Sequence, residues 1–146
     1  MNHKTMTTWT RKQAAEITEV PERRILFYSE QIMLPGLYLP VGRGRAREYT
    51  RADLFYLMVI RELSKIGLSL SNIRPAVHHL ELSKPLLWID EKTIIQPAYL
   101  VMSISEDSGE VSRWKVLMGE ADIKKVARQS VQVILNLNMV FDKVKV

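Results

Sequence analysis

The sequence predicts an α+β protein, with a mostly helical N-terminal half that carries a β wing and a small α+β unit behind it. Three observations lead there. Thr10 and Thr50 each stand before a run of good helix formers, the position where a hydroxyl takes up an amide that the first turn leaves unpaired. Between the two runs, the stretch VGRGRAREYT alternates arginine with small residues, which suits a hairpin. From residue 98 onward, AYLVMSI, VSRWKVL and SVQVILNL are β-rich runs separated by turn residues, the pattern of short strands.

The chain has 146 residues, 47% of them hydrophobic and 25% charged, which is the composition of a folded globular chain of one domain or two small ones. A division into residues 1–82 and 83–146 is expected, because the helical character gives way to prolines, Trp88 and β formers just past Leu80. There is no cysteine, so disulfides and thiolate metal sites are excluded. The first dozen residues lack the apolar core of a signal peptide, and no apolar run approaches the length needed to cross a bilayer. A cytoplasmic location and no membrane partner are the expectation.

The charge is unevenly placed. The net charge is +5, and the first 80 residues hold 12 Lys and Arg against 7 Asp and Glu, while the last 66 hold 9 against 9. An excess confined to one half points to which half meets a polyanion.

Each helix has its own start signal. The first opens after Thr10 with RKQAAEI and runs about two turns. Pro21 then falls in the first turn of a second helix, where its missing amide costs nothing. At 100° per residue, Ile25, Tyr28 and Ile32 lie within about 60° of one another and form the core face, whereas Arg23, Leu26, Phe27 and Glu30 point the other way. An outward phenylalanine beside arginine is explained by a DNA partner, since apolar groups pack on thymine methyls and sugars and arginine pairs with guanine. Burial under the C-terminal half is the competing explanation. Thr50 and Asp53 form a capping-box-like start for a third helix, apolar on more than one face and ended by Gly67. SLSNIRPAVHHL reads as a fourth, with serine at its start and Pro75 kinking it.

In the wing, Arg43, Arg45 and Arg47 project to one side of the hairpin, and Gly42 and Gly44 permit a tight turn and a close approach to phosphates. A solvated Gly/Arg loop is the plain alternative.

At this point the segment from Trp9 to Leu80 resembles the winged helix-turn-helix domain of the MerR family of bacterial transcription regulators. EVPERRILFYSEQIMLP is similar to that family's recognition helix, GRAREYTRADL to its wing and the capped helix after it, and IRELSKIGLSLSNIRPAV to its closing helix pair. The resemblance implies that Arg23 and Arg24 face bases or adjoining phosphates, that Phe27 packs on the DNA backbone beside a more buried Tyr28, and that Arg47 and Tyr49 are the wing pair, with Arg47 on a phosphate. Arg11 and Lys12 on the first helix complete the expected DNA-binding set with Arg43 and Arg45. Leu26 stands where the family usually has arginine and Ser29 where it usually has an acid, so base preference does not carry over. The long dimerising helix that usually follows is missing.

The C-terminal unit is expected to contain a hairpin from PLLWID and TIIQ, the strand runs named above, a short helix in GEADIKKVARQ, and a last helix capped by Asn138 with Val140, Phe141 and Val144 as its stripe. Trp88, Tyr99, Met102 and Trp114 either line a cavity for a small-molecule effector or simply pack. His78 and His79 diverge by about 100° on a helix and have no third ligand in view, so no metal is expected. No catalytic motif is found, and no enzyme activity or cofactor is expected.

The functional expectation is a sequence-specific double-stranded DNA-binding regulator of MerR-like type, with its recognition helix in the major groove and its Arg-rich wing on the backbone. A homodimer is expected because one small head makes few base contacts. The alternatives are a DNA-binding accessory factor for organisation or recombination using the same head, and a protein-interaction module in which Leu26 and Phe27 face a partner.

Overall fold

A computed structural model describes residues 7–32, 47–82, 98–105, 107–108, 111–118 and 132–144. Within them the order is α1 (Arg11–Thr18), α2 (Glu22–Ile32), α3 (Arg51–Lys65), α4 (Leu70–Leu82), β1 (Ala98–Ile104), β2 (Val111–Met118), β3 (Gln132–Asn136) and α5 (Leu137–Lys143).

The helix starts follow local chemistry. Thr10 takes the Gln13 amide on its hydroxyl at 3.2 Å, and the Gln13 side chain takes the Thr10 amide at 2.9 Å. Thr50 and Asp53 repeat this reciprocal box at 3.2 and 2.8 Å. Both satisfy donors that a first turn strands. Pro21 sits immediately before α2, and its carbonyl accepts the Arg24 and Ile25 amides at 2.9 and 3.0 Å. α1 ends on Glu19 at φ 58°, a left-handed position that a residue with a Cβ occupies only under strain. Thr18, fully buried, donates to the Ala14 carbonyl at 2.7 Å and accepts the Val20 amide at 3.3 Å. These bonds close the sharp turn between α1 and α2. Gly67, at φ 89°, does the same after α3, where no side chain would meet an obstacle but the backbone would be strained.

α3 is the central rod. Every residue from Ala52 to Ile60 is buried, which is what apolar character on more than one face requires of a helix packed by neighbours on several sides. α1, α4 and α5 all lie against it. Ala14, Ile25, Tyr28, Ile32, Tyr49, Leu57 and Leu63 join Leu100, Met102, Leu137, Val140 and Val144 in a single buried cluster, so the helices and the sheet share apolar packing. The boundary expected after residue 82 falls at the edge of the described residues.

The sheet has the order β2-β1-β3, antiparallel throughout. Alternation along β1 sends Leu100 and Met102 into the cluster and Tyr99, Val101 and Ser103 to the other face. Met102 is opposite Trp114 on β2, and Trp114 packs partly buried on the cluster. Tyr99 is an odd number of residues from Met102 and therefore on the opposite face, so these three side chains do not line one cavity; Trp88 is outside the described residues. So are the hairpin expected at residues 85–96, the helix expected at 119–129, and residues 33–46, which hold the expected loop after α2 and the expected wing up to residue 46.

One expected cap is corrected. The side chain of Asn136, not Asn138, accepts the Met139 amide, at 3.2 Å, and α5 begins at Leu137. Asn138 instead accepts the Ala98 amide at 2.7 Å, tying α5 to the start of β1. The last strand runs straight into the helix, and an asparagine two positions earlier reaches the free amide first. Val140 and Val144 are buried as expected of the stripe.

Candidate nucleic-acid interface

α2 is amphipathic in the sense the spacing predicts. Ile25 and Ile32 are fully buried and Tyr28 nearly so, while Arg23, Arg24, Glu30 and Gln31 are exposed. Phe27 keeps 47% of its surface open. Its ring centroid lies 5.9 Å from that of Tyr28 at a tilt of 57°, so the inner ring supports the outer one. Leu26 is half-buried. An exposed aromatic forgoes apolar burial, here on a helix whose inner face is anchored by Ile25, Tyr28 and Ile32.

Ser29 explains why a serine is tolerated in the buried half of this helix. Its hydroxyl donates to the Ile25 carbonyl at 2.7 Å and lies 3.5 Å from the Tyr49 hydroxyl. Tyr49 has no exposed surface. The expectation that Tyr49 is the wing partner of Arg47 and takes part in DNA binding is therefore corrected: its ring is in the core and offers no surface to a duplex, and its backbone pairs with Trp9 through reciprocal bonds of 2.8 and 2.9 Å. Alternation turns only Glu48, between them, outward; what buries the Tyr49 ring is the docking of this segment on Trp9 and on Ser29 of α2. Arg47 is half-buried; Arg43 and Arg45 are outside the described residues.

The remaining cations fall on two flanks. Arg11 and Lys12 are exposed, and Arg11 Nε is 3.9 Å from Glu22 at the start of α2. Glu22 and Arg24 are about 200° apart around the helix, so Arg24 is on the far flank, where its guanidinium donates to the Tyr28 hydroxyl at 3.4 Å. Arg23 and Phe27 occupy the face between them.

Sequence reading missed what holds the C-terminal end of α2. Arg74 Nε donates to the Gln31 carbonyl at 2.8 Å. His78 Nε2 is 3.3 Å from the Ile32 carbonyl and donates to it in the tautomer with a proton there. Both reach from α4 and answer carbonyls that a helix end leaves unpaired. Arg61 was also missed; it holds Glu19 at 2.8 Å. Partners this remote in sequence leave no local signal. Among the described residues no group of three or more His, Asp or Glu could hold a metal ion, and no helix is long and apolar enough to cross a membrane.

Two short helices joined by a tight turn, the second exposing a basic and aromatic face, define a helix-turn-helix unit. Residues 10–80 match the family described as MerR HTH family regulatory protein, and this segment of the chain is a MerR-type helix-turn-helix. Similar curated proteins are an uncharacterized HTH-type transcriptional regulator of Mycobacterium bovis and two so described in Mycobacterium tuberculosis strains, each 31% identical over 68 residues. The match covers 46% of this chain and 30% of each relative.

Proposed function

We propose that the chain is a sequence-specific double-stranded DNA-binding regulator of MerR-like type, reading the major groove with α2. The observation that carries this is the outward face of α2, where Arg23 and a 47% exposed Phe27 stand side by side over a fully buried inner face. A guanidinium on that face suits bidentate pairing to guanine, and the phenyl ring suits a thymine methyl or deoxyribose. The names of the relatives, transcriptional regulators, support the same reading. The 47% of the Phe27 surface that stays open favours this reading over burial under the C-terminal half.

In this reading Arg11, Lys12, Arg24, Arg43, Arg45 and Arg47 hold phosphates on either side of the groove, and Tyr28 and Tyr49 act from within, keeping α2 and the Arg47 segment in register. The chain works as a homodimer, because one head of this size gives too few base contacts for specific affinity. Met139, 63% exposed on α5, and Ile134 on β3 are apolar surface on the C-terminal unit suited to such pairing. The protein has no catalytic role, and acts where chromosomal DNA is, in the cytoplasm.

Selection of bound duplexes from a random pool tests the proposal. A recurrent, palindromic site preferred over random duplex by about 10³ or more is expected. Uniform binding to all duplexes would make the chain a DNA-organising factor, and no duplex binding at low salt would end the DNA reading.

A further inference from the structure

Beside the turn that joins α1 to α2 lies a cleft of about 260 Å³, whose polar lining is Glu19, Arg24, Tyr28, Arg61, Ser64 and Lys65, with Val20 and Pro21 of the turn completing it. It is off the outward face of α2, on the flank where Arg24 turns toward α3. Three of the six polar residues are cationic and one is acidic. Glu19 is held against Arg61 at 2.8 Å. The next acid, Glu62, is divided among Arg61, Lys65 and Lys143 at 3.4, 3.8 and 3.2 Å. The wall itself holds three cations against one carboxylate, two charges positive, and Glu62 behind it is balanced by Lys143.

We propose that this cleft binds a phosphate group. The donors suit one: guanidinium forks and an ammonium to match tetrahedral oxygens, and a Tyr28 hydroxyl that accepts from Arg24 and keeps its own proton to give. The size suits one as well, since 260 Å³ is the liquid volume of about nine waters, room for a phosphate with part of its hydration shell. The surplus of two charges is neutralised fully by a phosphate monoester dianion and halved by the single charge of a duplex diester, for which the match of guanidinium forks to phosphate oxygens is the remaining argument. The phosphate has two available sources, a phosphorylated small molecule or a backbone phosphate of a bound duplex. The site stands on its own geometry whether or not the chain binds DNA.

The test uses the full chain and inorganic phosphate. Amide spectra are followed during a phosphate titration at constant ionic strength, with chloride as the reference anion. Saturable shifts are expected at the amides of Glu19, Val20, Arg24, Ser64 and Lys65. Lys65→Gln, at a solvent-exposed position, should weaken the binding about tenfold with the rest of the spectrum unchanged. Arg61→Lys, which keeps the charge and loses the fork, should weaken it too. Shifts that fail to saturate, that match those in chloride, or that persist in Lys65→Gln would overturn the proposal. A second arm separates the sources. If a duplex phosphate occupies the cleft, Lys65→Gln lowers the slope of log affinity against log salt by about 1 and phosphate competes with duplex. If the ligand is a separate phosphorylated compound, the variant loses phosphate binding with the slope unchanged. Cleft shifts in a chain that binds no duplex would keep this site and end the DNA reading; duplex binding with no cleft shifts would do the reverse.

Discussion

Arg74 on α4 donates its Nε to the Gln31 carbonyl of α2 at 2.8 Å, so the helix proposed to enter the groove is held at its C-terminal end by the helix farthest from it in the head's sequence. His78, one turn further along α4, stands against the next carbonyl, that of Ile32. A recognition helix fixed only by its apolar face is free to pivot about that face. Two bonds at its end remove the pivot.

Replacing Arg74 with alanine therefore tests positioning separately from charge. A hydrogen bond from a charged donor at a partly exposed site is worth about 1 kcal/mol, and urea unfolding should show a loss of that order. Duplex affinity should fall, and the salt slope should stay, because Arg74 is bonded to protein and not to phosphate. A slope lowered by about 1 would instead make Arg74 a phosphate contact.

Phe27 and Ile25 make a contrasting pair. Phe27→Ala removes a ring that is half open to solvent and should change stability by less than about 0.5 kcal/mol while weakening duplex binding. Ile25→Ala empties a fully buried position and should cost about 2–5 kcal/mol. Thermal or urea unfolding beside anisotropy titrations reads both. Equal stability losses would mean that Phe27 is packed after all.

Arg23 carries the specificity prediction. Arg23→Ala should reduce discrimination at one base position by about 1–3 kcal/mol, visible as a relaxed column in the sequences selected from a random pool. A uniform loss across all sequences would place Arg23 on the backbone.

The corrected cap at α5 has its own consequence. Asn136→Ala removes an ordinary helix cap and should cost about 1 kcal/mol. Asn138→Ala strands the Ala98 amide at the edge of β1 and should cost about 1–3 kcal/mol, and exchange of the Ala98 amide should rise in that variant alone. The opposite pattern would restore Asn138 as the cap.

How much of this was legible beforehand depends on how far each contact reaches. Thr10 with Gln13 and Thr50 with Asp53 are three residues apart, and Ile25, Tyr28 and Ile32 recur at the helical period, so both the helix starts and the buried face of α2 could be read directly. Asn138 was the expected cap of the last helix, but Asn136 takes that place and Asn138 is engaged by the Ala98 amide, 40 residues away, which no local signal announces. Tyr49 was expected to work beside Arg47 because the resemblance to the family's wing implied it; the docking of that segment on Trp9 and Ser29 buried the ring.

By itself the sequence determined where the helices begin, which side of α2 is apolar, and which half of the chain is basic, because capping, periodicity and net charge act over a few residues or over simple sums. Tertiary structure alone decided that Arg74 and His78 hold the end of α2, that Arg61 holds Glu19, and that Tyr49 is interior. Those pairings join residues 20 to 46 positions apart, and a bond between distant residues exists only once the apolar core has brought their backbones within reach.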